Sequence, residues 1–289
     1  MGAGISALSR VPPYLPFLSG PASTAPKLRP IPETQWLFPD TEADAWLTKK
    51  TRLMKARRSE VYGCEPDAMA AANEAASLVI GDHMDRGDWP TGLEAAASQV
   101  SDDLCVMVPR EGAFVLGAAS LCAATFWRLE DKIGHSLGGL HHTVPGGDPE
   151  LSGKIFRIFS GLQPDIILER FNWTVQLGPD RFSPSAEPMK RRLKMTEPDD
   201  AANELYLRVE RQTVRKLPDT GAVLFTIRIC VDRLWPILEQ GDHAKRFSDS
   251  WYQTNPQLAA YKGWPDYQPV ISWLCNHLAE PGTEKERHC

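Results

Sequence analysis

Apolar and polar positions alternate most regularly across residues 205–231. In the second half of that stretch Val223, Phe225, Ile227, Ile229 and Val231 define one face, and Leu224, Thr226 and Arg228 the other, the period-two signature of a strand. In the first half Leu205, Leu207 and Val209 share a face that continues into Arg211 and Thr213. Pro218-Asp219-Thr220-Gly221 between them predicts a turn, because proline presets φ early and glycine tolerates positive φ late. With a two- or four-residue loop, Arg211 faces Arg228 and Thr213 faces Thr226. Like charges directly opposite one another are destabilising. The two arginines therefore ask for an anion between them, unless each has its own Asp or Glu partner or a bulge shifts the register.

Residues 104–108 and 114–122, separated by Arg110-Glu111-Gly112, predict an earlier hairpin. Residues 170–175 predict a strand with Phe171, Trp173 and Val175 on one face and Arg170, Asn172 and Thr174 on the other. Helices are expected over 42–58, 68–82, 92–100, 151–160, 231–239, 246–261 and 267–279. In the first, Ala45, Trp46, Thr51, Leu53 and Met54 point inward and Lys49, Lys50, Arg52, Arg57 and Arg58 outward. Residues 135–147 read as a Gly-rich loop carrying His135, His141 and His142, and 178–203 as a long Pro-rich loop. Residues 36–39 form an apolar anchor. Strands in the middle with helices before and after imply an α+β fold, an antiparallel sheet with flanking N- and C-terminal helices. The expected organisation is a loosely ordered Pro-rich arm over 1–35, one domain over 36–280 and a tail over 281–289.

Composition narrows the class. The 289 residues are 42% hydrophobic and 24% charged, an ordinary globular balance. A net charge of −5 and a pI near 5.8 argue against nucleic acid as a partner. Six scattered cysteines without a CxxC disfavour a zinc site or a plant-type iron–sulfur cluster. No apolar run reaches the ~18 residues a membrane span requires, and residues 1–30 hold six prolines in place of a signal-peptide core. The expectation is a reduced, soluble, cytoplasmic protein with no transmembrane segment. The opening MGAGIS matches the N-myristoylation pattern. Lys190, Arg191, Arg192 and Lys194 read as solvated loop.

The chain lacks GxGxxG, a Walker loop, GxSxG and HExxH. What remains is the His141-His142 pair and a sheet face bearing Arg211, Arg228, Thr213 and Arg170. A neutral imidazole can ligate haem iron through one ring nitrogen, and opposed arginines would neutralise two propionates. The two constellations suit one cofactor. The plain alternative for the histidines is a surface or satisfied loop role. Cysteine ligation competes less well, because Cys105, Cys122 and Cys230 sit inside apolar strands, where buried structural cysteine is usual.

At these residues the chain resembles the haem-dependent oxidative N-demethylase-like proteins. The matching pieces are Lys132-Ile133-Gly134 with Leu140-His141 and Val144-Pro145, then Arg170-Phe171-Asn172-Trp173. The most specific is Leu207-Arg208-Val209-Glu210-Arg211-Gln212-Thr213 followed by Leu217-Pro218-Asp219-Thr220-Gly221 and Phe225-Thr226-Ile227-Arg228. With Lys55-Ala56-Arg57-Arg58, the resemblance spans roughly residues 30–275. It implies a PAS-like sheet holding haem b. It also implies oxidation of a small methylated amine, as dimethylamine is converted to methylamine and formaldehyde, with O2 activated at the haem and electrons drawn from NADPH. In that system flavin, iron–sulfur and folate cofactors are associated with partner subunits. No motif for them is present here, so the expected partners are a small-molecule substrate and an external reductase.

Carried over position by position, His141 falls at the family's Ile-His histidine and is the expected axial ligand, with His142 beside it. Arg170, Asn172, Arg211 and Arg228 would contact the cofactor, the last two meeting propionates or polarising bound oxygen. Glu210, Gln212 and Thr213 would contact the amine or the oxygen. The chain departs from the family's pattern after His141, with Thr143 where a proline is common and His142 preceding it. Three other functions compete with an oxygen-activating amine oxidase. A redox-neutral haem-dependent tailoring lyase or isomerase needs no reductant. A haem PAS gas sensor would be expected to bring an output domain or coiled coil, and no heptad repeat is evident. A haem-free protein that keeps the fold would be colourless.

Overall fold

A computed structural model describes residues 11–37, 42–81 and 86–279, with the side chains of His141, Asp148 and Ala279 outside the description. The fold is α+β. Among the described residues seven strands form one antiparallel sheet: β1 (Arg29–Ile31), β2 (Tyr62–Cys64), β3 (Asp103–Arg110), β4 (Ala113–Ser120), β5 (Ile167–Leu177), β6 (Leu205–Lys216) and β7 (Val223–Arg233). Their spatial order is β1-β5-β6-β7-β3-β4-β2. The long β5-β6-β7 meander forms the middle of the sheet and the β3-β4 hairpin extends it.

The central hairpin has the register read from its alternation. Arg211 pairs with Arg228 and Thr213 with Thr226. The turn closes with Leu217 N–H donating to the Ala222 carbonyl at 2.8 Å, and Gly221 takes φ +68°, a value glycine reaches at no steric cost. On β4, Gly117 lies at the irregular step where the β3 pairing shifts between Val106 and Met107. A Cβ there would come within 2.5 Å of Val108 and 2.7 Å of Ala68, so the close approach of that strand to its surroundings requires glycine.

Both faces of the sheet are covered. One carries Leu205, Leu207, Val209 and Cys230, which pack in a single cluster with Leu234, Phe247, Trp251, Ile271 and Leu274 of the C-terminal helices. On the other, Phe114 meets Phe156 and Phe159 of the helix Ser152–Gly161, ring centroids 5.9 and 5.3 Å apart.

Several expectations are corrected. The described part of the arm, residues 11–35, is tied down rather than loose: β1 pairs with β5, and Phe17 is buried among the C-terminal helices. In the helix Ala43–Ala56, Lys50 is buried rather than outward and Ala45 is exposed. The Lys50 ammonium donates to the carbonyls of Val100 (2.9 Å) and Asp102 (2.5 Å), hydrogen bonds that make its burial tolerable. The 178–203 stretch holds two short helices, Glu187–Lys194 and Pro198–Ala202. The expected 246–261 helix is divided into His243–Gln253 and Pro256–Tyr261, with Asn255 capping the second and Pro256 unable to donate within a continuous helix. The myristoylation pattern, residues 38–39 of the apolar anchor and the 281–289 tail lie outside the described residues. Among the described residues no helix is long and apolar enough to cross a membrane.

Candidate functional site

The same register that aligns the arginines divides the residues expected to act together. Along β6, Arg211 and Thr213 point to one face of the sheet and Glu210 and Gln212 to the other, because successive side chains alternate. On β5, Phe171 pairs with Arg211, whereas Arg170 pairs with Gln212 and Asn172 with Glu210. Arg170 is therefore on the opposite face from Arg211 and Arg228.

On the arginine face each guanidinium has its own carboxylate. Arg228 Nε and Nη2 donate to Asp102 at 3.0 and 2.7 Å, and Arg211 Nε donates to Glu169 at 2.5 Å. Arg211 also donates to the Gln35 and Trp36 carbonyls, and Arg29 shares Glu169 at 2.7 Å. Trp36 Nε1–H donates to Thr213 Oγ1 at 3.0 Å, and Thr213 and Thr226 share a hydrogen bond at 2.7 Å. Arg211, Arg228, Thr213 and Thr226 are all essentially inaccessible. The reading in which the arginines share an anion gives way to the one in which each is matched by a carboxylate. This face is sealed.

The opposite, glutamate face is half open. Arg170, Asn172, Glu210, Gln212 and Lys262 are all intermediate in exposure. Glu210 Oε2 accepts from Gln212 Nε2 at 2.7 Å and from Asn172 Nδ2 at 3.2 Å. Burial alone would raise its carboxyl, but hydrogen bonds from Thr125 and Asn172 and the charges of Arg208 and Lys262 hold it below the usual range. Lys262, in the turn after the helix Pro256–Tyr261, donates to Asn172 Oδ1 at 2.7 Å and to the Trp173 carbonyl at 3.0 Å. Burial is the main cause that brings its ammonium down to about 8; Glu210 opposes the fall and Arg170 adds to it. Burial likewise lowers Arg170, with Glu210 opposing. Arg170 Nε is buried and has no hydrogen-bond partner among the described residues.

Beside these, fully buried Arg208 ties the site's walls together. It donates to Thr125 Oγ1 (2.9 Å), Gln176 Oε1 (2.9 Å), and the Ala123 (2.7 Å) and Arg181 (2.9 Å) carbonyls. Burial lowers its guanidinium to about 10. Arg208 and Lys262 are the residues that sequence reasoning missed. Arg208 stood inside the specific hairpin motif, next to Glu210, and its even position on the strand was the available signal. Lys262 had none, since it lies in a turn 90 residues from its partner Asn172.

The histidine segment is structured rather than a loop. Ser136 Oγ accepts from Gly139 N–H at 3.4 Å and caps the short helix Leu137–His141, and a π-helical turn follows at Gly147–Leu151. His141 ends that helix with its side chain outside the described residues. His142 Nδ1 lies 2.7 Å from the Gly139 carbonyl. A carbonyl only accepts, so Nδ1 carries the proton there and Nε2 keeps its lone pair when the ring is neutral. The segment reaches the glutamate face through Tyr261. Burial raises the Tyr261 phenol, its hydrogen bond with Thr143 opposes this, and the charge of Glu210 adds to the rise. Among the described residues no group of three or more His, Cys, Asp and Glu side chains forms a metal cluster.

The antiparallel sheet thus has one sealed face and one half-open, charge-bearing face. The chain belongs to the family described as haem-dependent oxidative N-demethylase, alpha subunit-like, whose model matches residues 87–272. The match covers β3 to β7, the histidine segment and Lys262. The family name carries haem dependence, and with it iron, and an oxidative class of enzyme.

Proposed function

We propose that the protein is an oxidoreductase that binds haem b over the glutamate face and oxidises a small N-methylated amine or related metabolite with O2. Electrons come from an external reductase in this reading, and the sheet with its helical cover is PAS-like. The observation that carries the proposal is the family match, because it spans every residue of the half-open face. Five central antiparallel strands with the 137–161 helical segment laid over one side support the PAS-like element.

The residues present fit haem. Haem brings two propionates, and the glutamate face offers a buried, unpartnered Arg170 Nε and a positive balance around Glu210. Arg170 would hold a propionate by charge-assisted hydrogen bonds. His141 would hold the iron, with His142 beside it as the alternative. His142 has its Nδ1–H turned to the Gly139 carbonyl, the kind of outer hydrogen bond that fixes the tautomer of a ligating histidine. When bound, the haem supplies activation of O2 for oxidation of a carbon next to nitrogen. The chain's own groups line the substrate side. Glu210, kept ionised, accepts hydrogen bonds but donates none, and the Gln212 and Asn172 amides provide the polar wall. Arg211, Arg228 and Thr213 hold the sheet from behind.

The test is a hemin titration followed through the Soret band, before and after dithionite and carbon monoxide. A band that shifts on reduction and again with carbon monoxide supports the proposal, and reductant-dependent formaldehyde release from dimethylamine or a related amine completes it. Turnover under argon without reductant would favour the redox-neutral alternative. No Soret band after added hemin would overturn the haem reading for this chain.

A further inference from the structure

Among the described residues the glutamate face sets two cations, Arg170 and Lys262, against the Glu210 carboxylate. Arg170 stands two residues before Asn172 on the same face of β5, and Lys262, from the turn before the helix Trp264–Ala279, donates to Asn172 Oδ1 at 2.7 Å, so both cations flank the Glu210 carboxylate that Asn172 also contacts. Glu210 attracts each and Arg170 opposes Lys262. Arg208 does not add to the imbalance, because it feels Asp103 as well as Glu210 and spends its N–H groups on neutral oxygens. Glu210 is already engaged by Asn172 and Gln212, so it is poorly placed to serve as sole counter-ion to two cations.

The two cations are held differently. Lys262 places two of its three N–H donors on Asn172 Oδ1 and the Trp173 carbonyl, which fixes the ammonium at the edge of β5 with a donor to spare. Arg170 has a buried Nε with no partner among the described residues. Leaving a buried charged donor unsatisfied is costly, and two like charges side by side in a half-buried site disfavour each other. One incoming carboxylate relieves both costs.

We propose that Arg170 and Lys262 form a two-pronged carboxylate subsite on the glutamate face. The proposal deepens the function proposed above and rests on it. The carboxylate comes either from a porphyrin propionate or from the substrate, which would then be an amino-acid-like N-methylated amine rather than a simple cationic one. A lone dialkylammonium ion is a poor complement to this site, because it meets two cations for one occupied carboxylate.

The experiment compares wild-type protein with Arg170→Met, Lys262→Met and Lys262→Arg, using hemin and hemin dimethyl ester as probes. Thermal melts check that each variant folds. If a propionate fills the subsite, both methionine variants bind hemin ~10-fold or more weakly, as loss of a charge-assisted hydrogen bond requires. Lys262→Arg recovers part of that loss, and the ester binds all four proteins alike. If the substrate fills it, hemin and ester bind all four alike. Sarcosine then perturbs the wild-type Soret band at lower concentration than dimethylamine does, a preference the methionine variants lose. Equal hemin affinity throughout together with no preference for sarcosine overturns the subsite. If wild-type protein binds neither porphyrin, the haem reading falls. Acetate and sarcosine titrations of the same proteins, followed by tryptophan fluorescence, then decide the subsite alone: weaker binding in the methionine variants supports it and identical binding overturns it.

Discussion

The two faces of the β5-β6-β7 sheet carry similar residues and do opposite things. On one, Arg211 and Arg228 stand directly opposed yet are neutralised by Glu169 and Asp102 and closed to water. On the other, Arg170 and Lys262 are both attracted to the Glu210 carboxylate and remain half open. An arginine in a strand therefore says little about binding until its counter-charge is known. Internal pairing makes a sealed charge part of the framework, since breaking such a pair strands the survivor without water. Incomplete pairing at an open face leaves affinity to be used on a ligand.

The largest effect should come from breaking the sealed side. Asp102→Ala removes the carboxylate paired with buried Arg228 and should cost about 3–5 kcal/mol in a urea melt. Arg211→Ala should cost less, because Arg29 still neutralises Glu169; equal losses in the two variants would contradict the separate pairing described for this face. On the open side the order reverses. Arg170→Met should change the urea midpoint little while weakening binding of the subsite's carboxylate, hemin if a propionate fills it, ~10-fold to 100-fold, the equivalent of about 1.5–3 kcal/mol for a charge-assisted contact. A destabilisation as large as that of Asp102→Ala would show Arg170 to be framework after all.

Smaller effects sharpen the same contrast. Trp36→Phe removes the indole N–H that reaches Thr213 and should cost about 1 kcal/mol with no change in hemin affinity. Lys262 gives its signal as a pH slope. Burial brings its ammonium down to about 8 in the folded protein from the ordinary 10.5 of a lysine, so between those values the unfolded chain binds more protons. Stability contributed by this group therefore rises with pH across that window, having been penalised below it. Urea melts without ligand should show Lys262→Met with a flatter profile than wild type between pH about 8 and 10.5; parallel profiles would remove Lys262 from the burial argument.

Much of this was legible locally. The hairpin's period of two, with a turn that suits only a few loop lengths, left one workable register, since a one-residue slip would reverse every side chain. The alternative that each arginine has its own carboxylate was also legible, but not which carboxylate: Asp102 and Glu169 lie 126 and 42 residues away from their partners. Charge misled at Lys50, where an outward-reading lysine turned inward because two backbone carbonyls received it. Glycine misled at 135–147, where low helix propensity was overcome by the Ser136 cap.

The sequence by itself determined the class, the central strands, the hairpin register and the resemblance, because each rests on neighbours in the chain or on a short motif. Only the tertiary structure decided which residues share a face. Strand alternation says that Arg170 and Asn172 are together and that Glu210 and Gln212 are together. It does not say that β5 pairs with β6 in the one register that unites the four, or that a turn beyond β7 brings Lys262 to them. That juxtaposition depends on sheet order and on helices folding back across an edge, interactions between segments whose partners no local pattern records.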